Sequence, residues 1–217
     1  MVTGTHVSVT AVIPFKPVNP KTRLSCLLDQ GEREAFAGAM LADVISAVKG
    51  AGCNTYVLST GEYRVPGTRV EVDSRGLNDS LNTILAKTAE DLLIIMADLP
   101  LATPEAVSGL IGTGGDVVFA PGRGGGTNAI LLRQGTGFRV DYYGASFLKH
   151  VRIAQESGLT IGISDSFRLH TDIDEKEDLV ELLIHGGGTS RQFLESLGFG
   201  IRVEKGRVGV ERSPPKN

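Results

Sequence analysis

Three cations stand close together near the start of this chain, in a position suited to phosphate binding. Lys16, Lys21 and Arg23 lie in the segment 13–24, which follows an apolar run and contains three prolines. The prolines exclude regular structure there, so the segment is a stiff loop. Cationic side chains on such a loop are preorganised for phosphate oxygens, and an arginine can bind them bidentately. The alternative interpretation is an ordinary solvated loop.

Carboxylates follow two later apolar segments. Asp98 comes directly after the apolar run 91–97, and Asp172 and Asp174 follow the segment 159–165. A carboxylate in that position is suited to Mg²⁺, which prefers one or two carboxylates together with substrate phosphates. Either later aspartate could supply the second carboxylate. The alternatives are that Asp98 caps a turn, and that Asp174 caps a helix with capping-box spacing to Glu177.

A glycine-rich segment at 121–128 is the candidate site for an anionic acceptor. Its backbone N–H groups, with Thr127 and Asn128, could wrap an anion, and Arg123 adds positive charge. It is not a dinucleotide-binding motif, because Thr127 stands where a glycine is needed and a strand follows instead of a helix. The alternative is a mobile surface loop.

The segment 74–81 is a weaker candidate for contact with a nucleotide. Asn78 and the loop backbone could contact a base or ribose, or Asn78 or Asp79 could simply cap the next helix.

The rest of the sequence lacks the usual motifs of covalent catalysis. There is no P-loop, no G-x-S-x-G nucleophile motif, and neither Cys26 nor Cys53 lies in a recognisable catalytic setting. Cations, a glycine-rich loop and separated carboxylates remain. They favour phosphoryl or nucleotidyl transfer, in which catalysis is mostly positioning and charge neutralisation.

Short apolar runs alternate with longer helical patterns along the chain. This pattern predicts an α/β fold, a Rossmann-like mixed and mostly parallel sheet flanked by helices. Ligands of such sheets bind beyond the carboxyl ends of the strands, so the residues above should meet at one edge. We expect a single domain over 1–217, in which 185–217 form a C-terminal helix and hairpin and the last five residues are disordered.

Composition excludes several classes of partner. The net charge of −3 gives no basic field for nucleic acid, and the longest strongly apolar stretch, 92–96, is too short to span a membrane. The N-terminus does not resemble a secretory signal, and two cysteines without a Cys-x-x-Cys pair predict a reduced, cytoplasmic setting without structural zinc.

Six motifs together resemble the 2-phospho-L-lactate guanylyltransferases, the CofC family of coenzyme factor 420 biosynthesis. They are "AVIPFKPVNPKTRL", "SRGLNDSL", "MADLPL", "GTNAILLR", "YGASFLKH" and "TDIDEKEDL". The resemblance implies a nucleotidyltransferase fold similar to glycosyltransferase A, with Mg²⁺ as cofactor. It also implies a reaction of GTP with 2-phospholactate, or with phosphoenolpyruvate in some bacterial relatives, that releases pyrophosphate. The short "YGASF" segment favours the archaeal, phospholactate type.

The resemblance also implies roles for individual residues. Lys16, Lys21 and Arg23 would contact the GTP phosphates, and with Asp98 they form the predicted catalytic set. Asp98 and one aspartate of 171–174, either Asp172 or Asp174, would carry Mg²⁺. The predicted nucleotide-binding set is Pro14, Lys16, Arg23, Ser74, Gly76 and Asn78. The predicted acceptor-binding set is Thr127, Asn128, Gly144 and Ser146.

The sequence also leaves alternative functions open. A molybdopterin or sugar-phosphate nucleotidyltransferase would open on a glycine-rich first loop, and a glycosyltransferase would more typically carry Asp-x-Asp where this chain has Pro100. A non-catalytic nucleotide-binding module is the remaining alternative. We expect a homodimer, because the C-terminal hairpin could pair with a second chain.

Overall fold

A computed structural model describes residues 8–213, which form nine strands and seven helices. The strands are β1 (Val9–Phe15), β2 (Asn54–Ser59), β3 (Arg69–Val72), β4 (Asp91–Ile95), β5 (Val117–Pro121), β6 (Thr127–Leu132), β7 (Ile161–Ile163), β8 (Phe199–Glu204) and β9 (Arg207–Arg212). The helices are α1 (Gln30–Gly50), α2 (Leu77–Leu85), α3 (Pro104–Gly112), α4 (Ser146–Glu156), α5 (Phe167–His170), α6 (Asp178–His185) and α7 (Thr189–Ser196). Of the five residues predicted to be disordered, 213–217, the last four fall outside the described residues.

Seven strands form one mixed, mostly parallel sheet, which confirms the predicted fold class. Their order is β3-β2-β1-β4-β6-β5-β7. Only β6 runs against its neighbours, β4 and β5. The reason is the connection from β5 to β6, which spans only 122–126. A parallel pairing needs a crossover of a dozen or more residues, so this short loop forces an antiparallel hairpin.

The central strands are apolar because both faces of the sheet are covered. Ile13 and Leu93 face one layer, which α1 and α3 contribute to. Val12 and Ile94 face the other layer, formed with α2 and α4. Strands buried on both sides lose the polar alternation of a half-exposed sheet, which explains the continuous apolar runs in the sequence.

The C-terminal helix and hairpin pack against α1. Phe36 and Met40 of α1 share a buried cluster with Leu194 of α7 and with Phe199 and Val210 of the hairpin. The predicted helix and hairpin therefore exist, as α7 and as β8 with β9, and their apolar residues close over one end of α1.

The structure differs from the sequence analysis in three local features. Helix α6 begins at Asp178, so Asp174 and Glu177 form no capping box there. The Asp178 carboxylate instead accepts hydrogen bonds from the backbone N–H of Asp174 (3.0 Å) and of Glu175 (2.8 Å), because the chain turns once more before the helix starts. Helix α2 has no side-chain cap, so Asn78 does not serve in that way. The short helix α5 was not predicted.

None of the helices within 8–213 is long and apolar enough to cross a membrane.

Candidate active site

A cavity of about 410 Å³ lies at the carboxyl ends of β1, β2 and β4. The chain runs outward from β1 through β2 to β3 and then returns to the other side of β1 as β4, so the strand order reverses here. Clefts form at such switch points because the connections leave the sheet in opposite directions. The lining residues are Pro14, Phe15, Lys16, Pro20, Lys21, Ala37, Met40, Leu58, Thr60, Asp73, Arg75, Gly76, Leu77, Ser80, Met96, Ala97, Asp98, Tyr143 and Asp174.

The ammonium of Lys21 joins two of the predicted carboxylates. Its Nζ lies 2.7 Å from Oδ2 of Asp98 and 2.5 Å from Oδ1 of Asp174. The backbone holds the two carboxylates together as well, since the N–H of Ile173 donates to the carbonyl of Asp98 at 3.0 Å. Burial by itself lowers the pKa of Lys21, but the two carboxylates outweigh it and raise that pKa above its ordinary value. Lys21 is therefore a charged ammonium between two anions.

A buried arginine supports the loop that carries Lys16, Lys21 and Arg23, which we call the cationic loop. Arg33 of α1 is 8% exposed and donates to the carbonyls of Pro20 (3.2 Å) and Leu28 (3.0 Å). It also donates to Oδ1 of Asn19 at 2.8 Å. The loop needs this support because Asn19 (φ 47°) and Lys21 (φ 50°) both adopt the left-handed conformation, which is unfavourable for residues other than glycine.

Sequence reasoning missed Arg33, although a signal existed. Arg33 stands three residues before Phe36 and seven before Met40, so it falls on the apolar face of α1. A charged residue on the buried stripe of a helix must be hydrogen-bonded.

We expect Arg33→Met to lower the free energy of unfolding by about 1–3 kcal/mol, because it leaves the carbonyls of the buried residues Pro20 and Leu28 without their side-chain donor. The KM for the nucleotide should rise, since the loop loses its support. Urea unfolding and steady-state kinetics measure both quantities. Arg202→Met is the matched control: Arg202 is an exposed arginine whose ion pair with Glu204 lies on the surface, and it should change stability by less than about 0.5 kcal/mol. Equal effects of the two substitutions would contradict the role of Arg33.

The other two predicted cations lie at the edge of the cavity. Lys16 is exposed and lines it. Arg23 is 66% exposed and lies outside the lining, with NH1 3.7 Å from Oδ2 of Asp174 and 3.4 Å from Oε1 of Glu175. Exposed ion pairs of this length contribute little to stability, so Arg23 can reorient without a large cost.

Asp172 points away from the ammonium of Lys21. Its Oδ1 accepts a hydrogen bond from Nδ2 of Asn128 at 3.3 Å, and the same amide nitrogen donates to the carbonyls of Leu169 (3.0 Å) and His170 (3.2 Å). Burial raises the pKa of Asp172, and the nearby Asp98 adds to the shift. Asn128, 5% exposed, joins β6 to the segment that carries the aspartates.

The carboxylates suit a hard cation. Within 8–213 no group of three or more His, Cys, Asp or Glu side chains is arranged to hold a metal ion. Asp98 and Asp174, however, direct one oxygen each at the same ammonium, so their oxygens already converge on a positive charge. Two carboxylates are enough for Mg²⁺ when substrate phosphates and water complete its shell. The residues present therefore fit the predicted ion.

The predicted acceptor residues form a hydroxyl pair beside the cavity. Oγ of Ser146 lies 3.2 Å from Oγ1 of Thr127, and both residues are 3% exposed. Gly144 is exposed and has φ 61°, which a turn before α4 requires. None of the three lines the 410 Å³ cavity, but the adjacent Tyr143 does.

Only some of the predicted nucleotide-binding residues line the cavity. Pro14 and Gly76 line the cavity, whereas Ser74 and Asn78 do not. Asn78 instead exchanges two hydrogen bonds with the backbone of Tyr142: its Oδ1 accepts from N–H at 2.7 Å and its Nδ2 donates to the carbonyl at 3.4 Å. It thereby attaches α2 to the segment that carries Tyr143.

Two charged residues of the cavity lining, Asp73 and Arg75, were not predicted as site residues from the sequence. The guanidinium of Arg75 contacts both carboxylate oxygens of Asp73, with Nε 3.0 Å from Oδ1 and NH2 2.6 Å from Oδ2. This contact holds the pKa of Asp73 well below its ordinary range. The end of β3 was the available signal, because it leads directly into the cavity.

Known proteins resemble this chain over nearly its whole length. The family model described as "Guanylyl transferase CofC like" matches residues 9–213. The 2-phospho-L-lactate guanylyltransferase of Methanosphaerula palustris is 56% identical over 205 residues, covering 94% of this chain and 98% of the relative. The enzyme of that name from Methanosarcina mazei is 48% identical over 204 residues, covering 92% of this chain and 98% of the relative.

Solved structures with low sequence identity share the fold. A nucleotide-diphospho-sugar transferase from Desulfovibrio desulfuricans has a TM-score of 0.71 at 14% identity, covering 86% of this chain and 94% of its own. A nucleotidyl transferase from Methanothermobacter has a TM-score of 0.55 at 15% identity, covering 87% and 98%.

Proposed function

The chain belongs to the CofC-like guanylyltransferase family, and from that membership and the geometry of the cavity we propose how its residues divide the work. The protein is a 2-phospho-L-lactate guanylyltransferase: it joins GTP to 2-phospho-L-lactate and releases pyrophosphate, in biosynthesis of coenzyme factor 420. Its partners in the reaction are small molecules and not nucleic acid. The observation that carries the assignment of roles is the convergence of Lys21, Asp98 and Asp174 on one wall of the cavity.

GTP occupies the 410 Å³ cavity, whose size falls in the usual range for ligand sites. Its lining includes the cations Lys16 and Lys21 and apolar side chains such as Leu58 and Leu77. This combination suits a nucleotide, because the triphosphate needs positive charge while the base and ribose tolerate apolar contacts. Arg23 turns inward from the rim to complete the phosphate contacts.

Asp98 and Asp174 would hold Mg²⁺. Each carboxylate contacts Lys21 through one oxygen, and among the described residues the second oxygen of Asp174 meets only the long Arg23 contact, so each could offer an oxygen to a cation. Asp174 is preferred to Asp172, because Asp98 and Asp174 converge on one ammonium whereas Asp172 contacts the Asn128 amide. When bound, the ion would neutralise phosphate charge and stabilise the leaving pyrophosphate.

A phosphate oxygen of the acceptor attacks the α-phosphorus of GTP, and the bond to the leaving pyrophosphate breaks. No general base is needed, because a phosphate monoester is already largely ionised at neutral pH. The protein must offset the repulsion between two anions, which Lys16, Lys21 and Arg23 do. Holding the reactants in attack geometry, with the acceptor at Thr127, Gly144 and Ser146, can supply roughly 7 kcal/mol or more of the reduction in barrier.

Pyrophosphate release tests this assignment directly. The protein is mixed with GTP and Mg²⁺, and either 2-phospholactate or phosphoenolpyruvate is added, with ATP, CTP and UTP as competing nucleotides. Release with GTP and 2-phospholactate alone is the expected result. Faster release with phosphoenolpyruvate would change the acceptor, and binding of GTP without release of pyrophosphate would favour a non-catalytic module.

The C-terminal hairpin supports a homodimer. Among the described residues, strands β8 and β9 pair only with each other, and they expose Ile201, Val203 and Val208, of which Val203 is 69% exposed. A two-stranded hairpin is marginally stable by itself, and a second copy of the chain would cover these side chains. Light scattering should give twice the mass of the chain for the wild type and less for Val203→Glu. A monomeric wild type would contradict the proposal.

We also propose a cytoplasmic location. Cys26 and Cys53 are both free thiols, as expected in a reducing compartment.

A further inference from the structure

A histidine with no role assigned so far is buried beside the hydroxyls of Thr127 and Ser146. His150 of α4 is 0% exposed, and its ring stacks on Phe119 with centroids 6.1 Å apart. Both ring nitrogens are nevertheless hydrogen-bonded. Nδ1 lies 2.9 Å from Oγ1 of Thr127, and Nε2 accepts from the backbone N–H of Asp141 at 2.9 Å. Buried polar atoms normally have such partners, but these two have opposite consequences for the ring.

The backbone contact determines the tautomer. An amide N–H can only donate, so Nε2 must act as the acceptor and carries no proton. Burial lowers the pKa of His150 to about 4, so the ring is neutral near pH 7. A neutral imidazole has one proton, which must then be on Nδ1. His150 therefore donates to Thr127 and does not accept from it.

The direction of the His150–Thr127 hydrogen bond decides how the hydroxyl protons of Thr127 and Ser146 are used. Thr127 and Ser146 have two hydroxyl protons between them, and one is used in the bond that joins them. Because Nδ1 of His150 brings its own proton, the second hydroxyl proton has no acceptor in the structure of residues 8–213. With the opposite tautomer, Thr127 would donate to Nδ1, and both hydroxyl protons would be used internally. The pair has a donor to spare only with the tautomer that the Asp141 contact requires.

We propose that His150 is a positioning residue for the acceptor: by donating from Nδ1 to Thr127, it leaves one hydroxyl proton of the Thr127–Ser146 pair for an anionic oxygen of the acceptor. This inference rests on the proposed function, which places the acceptor at those hydroxyls. It also defines a preference. The spare hydroxyl proton suits a phosphate or carboxylate oxygen, which accepts hydrogen bonds.

His150→Phe tests the proposal through the two Michaelis constants. Phenylalanine keeps a ring against Phe119 but removes both nitrogens. We expect the KM for 2-phospholactate to rise by about 10- to 100-fold, the usual effect of losing a hydrogen bond to a charged group, while the KM for GTP stays within about twofold. His150→Asn, whose amide can donate where Nδ1 did, should recover part of the loss.

Tyr142→Phe is the matched control. The Tyr142 ring lies 4.9 Å from the His150 ring, centroid to centroid, and its buried hydroxyl has no hydrogen-bond partner among the described residues. Removing that hydroxyl changes the same apolar cluster without touching the proton count, so both KM values should stay as in the wild type.

Nitrogen NMR of the wild-type protein gives a readout that does not depend on activity or on the variants folding. Long-range ¹H–¹⁵N correlations should show His150 protonated at Nδ1. A proton on Nε2, an unchanged acceptor KM in His150→Phe, or an equal rise of both KM values would each overturn the proposal. Failure of the wild type to release pyrophosphate with any acceptor would instead overturn the proposed function and leave the tautomer standing.

Discussion

Asp98→Asn should lower kcat by orders of magnitude while the fold survives. The amide removes the charge of a carboxylate that contacts Lys21 at 2.7 Å and that we assign to Mg²⁺, and losing one such electrostatic contact in an active site typically costs about 10²–10³ in kcat. The fold should persist because the Asp98 side chain is 27% exposed and because its backbone carbonyl keeps its bond to Ile173. The rate of pyrophosphate release at saturating substrates measures kcat, and thermal unfolding measures whether the fold survives.

The matched control for this substitution is at the opposite end of the same strand. Glu90→Gln makes the same carboxylate-to-amide change on an exposed residue directly before β4, whereas Asp98 follows β4 at its carboxyl end. We expect Glu90→Gln to leave kcat unchanged. Near-normal pyrophosphate release by a folded Asp98→Asn protein would show that Asp98 does not carry the metal.

Lys21→Met should lower kcat/KM for GTP by about 10²–10³, again the scale of one lost electrostatic contact in an active site. Methionine approximates the length of the lysine chain but leaves Asp98 and Asp174 facing each other without the ammonium that now lies between them. Their repulsion, and the missing cation for the phosphates, both act against a triphosphate. Lys21→Arg should not restore activity, because a planar guanidinium does not reproduce a compact charge held by two carboxylates.

Lys205→Met is the control for Lys21→Met. Lys205 has the same left-handed backbone, with φ 50° like Lys21, but stands exposed in the turn between β8 and β9. Lys205→Met therefore removes one positive charge at a residue with the same backbone strain, but it breaks no contact with Asp98 or Asp174. Initial rates over a range of GTP concentrations should separate the two variants. Equal losses in both, or none in Lys21→Met, would contradict the role of Lys21.

The placement of the site was predictable because parallel strands present their carboxyl ends at one edge. Lys21 meets Asp98 and Asp174 across 77 and 153 residues of chain, yet each follows a strand of the same sheet. The alternative interpretation, that Asp174 caps α6, was wrong for a local reason: capping-box spacing is common, and whether the box forms depends on where the helix begins. The family resemblance was confirmed over nearly the whole chain.

The sequence by itself determined the fold class, the family and the edge of the sheet at which the candidate site lies. These follow from periodicity, chain order and motifs, all of which can be read one segment at a time. Only the tertiary structure showed that Lys21 contacts Asp174 whereas Asp172 contacts Asn128, placed Arg33 beside the loop that carries Lys21, and directed the Asp141 N–H at Nε2 of His150. Each of these depends on which donor meets which acceptor across distant segments. Such pairings are set by how the layers pack on the sheet, and sequence spacing does not contain that information.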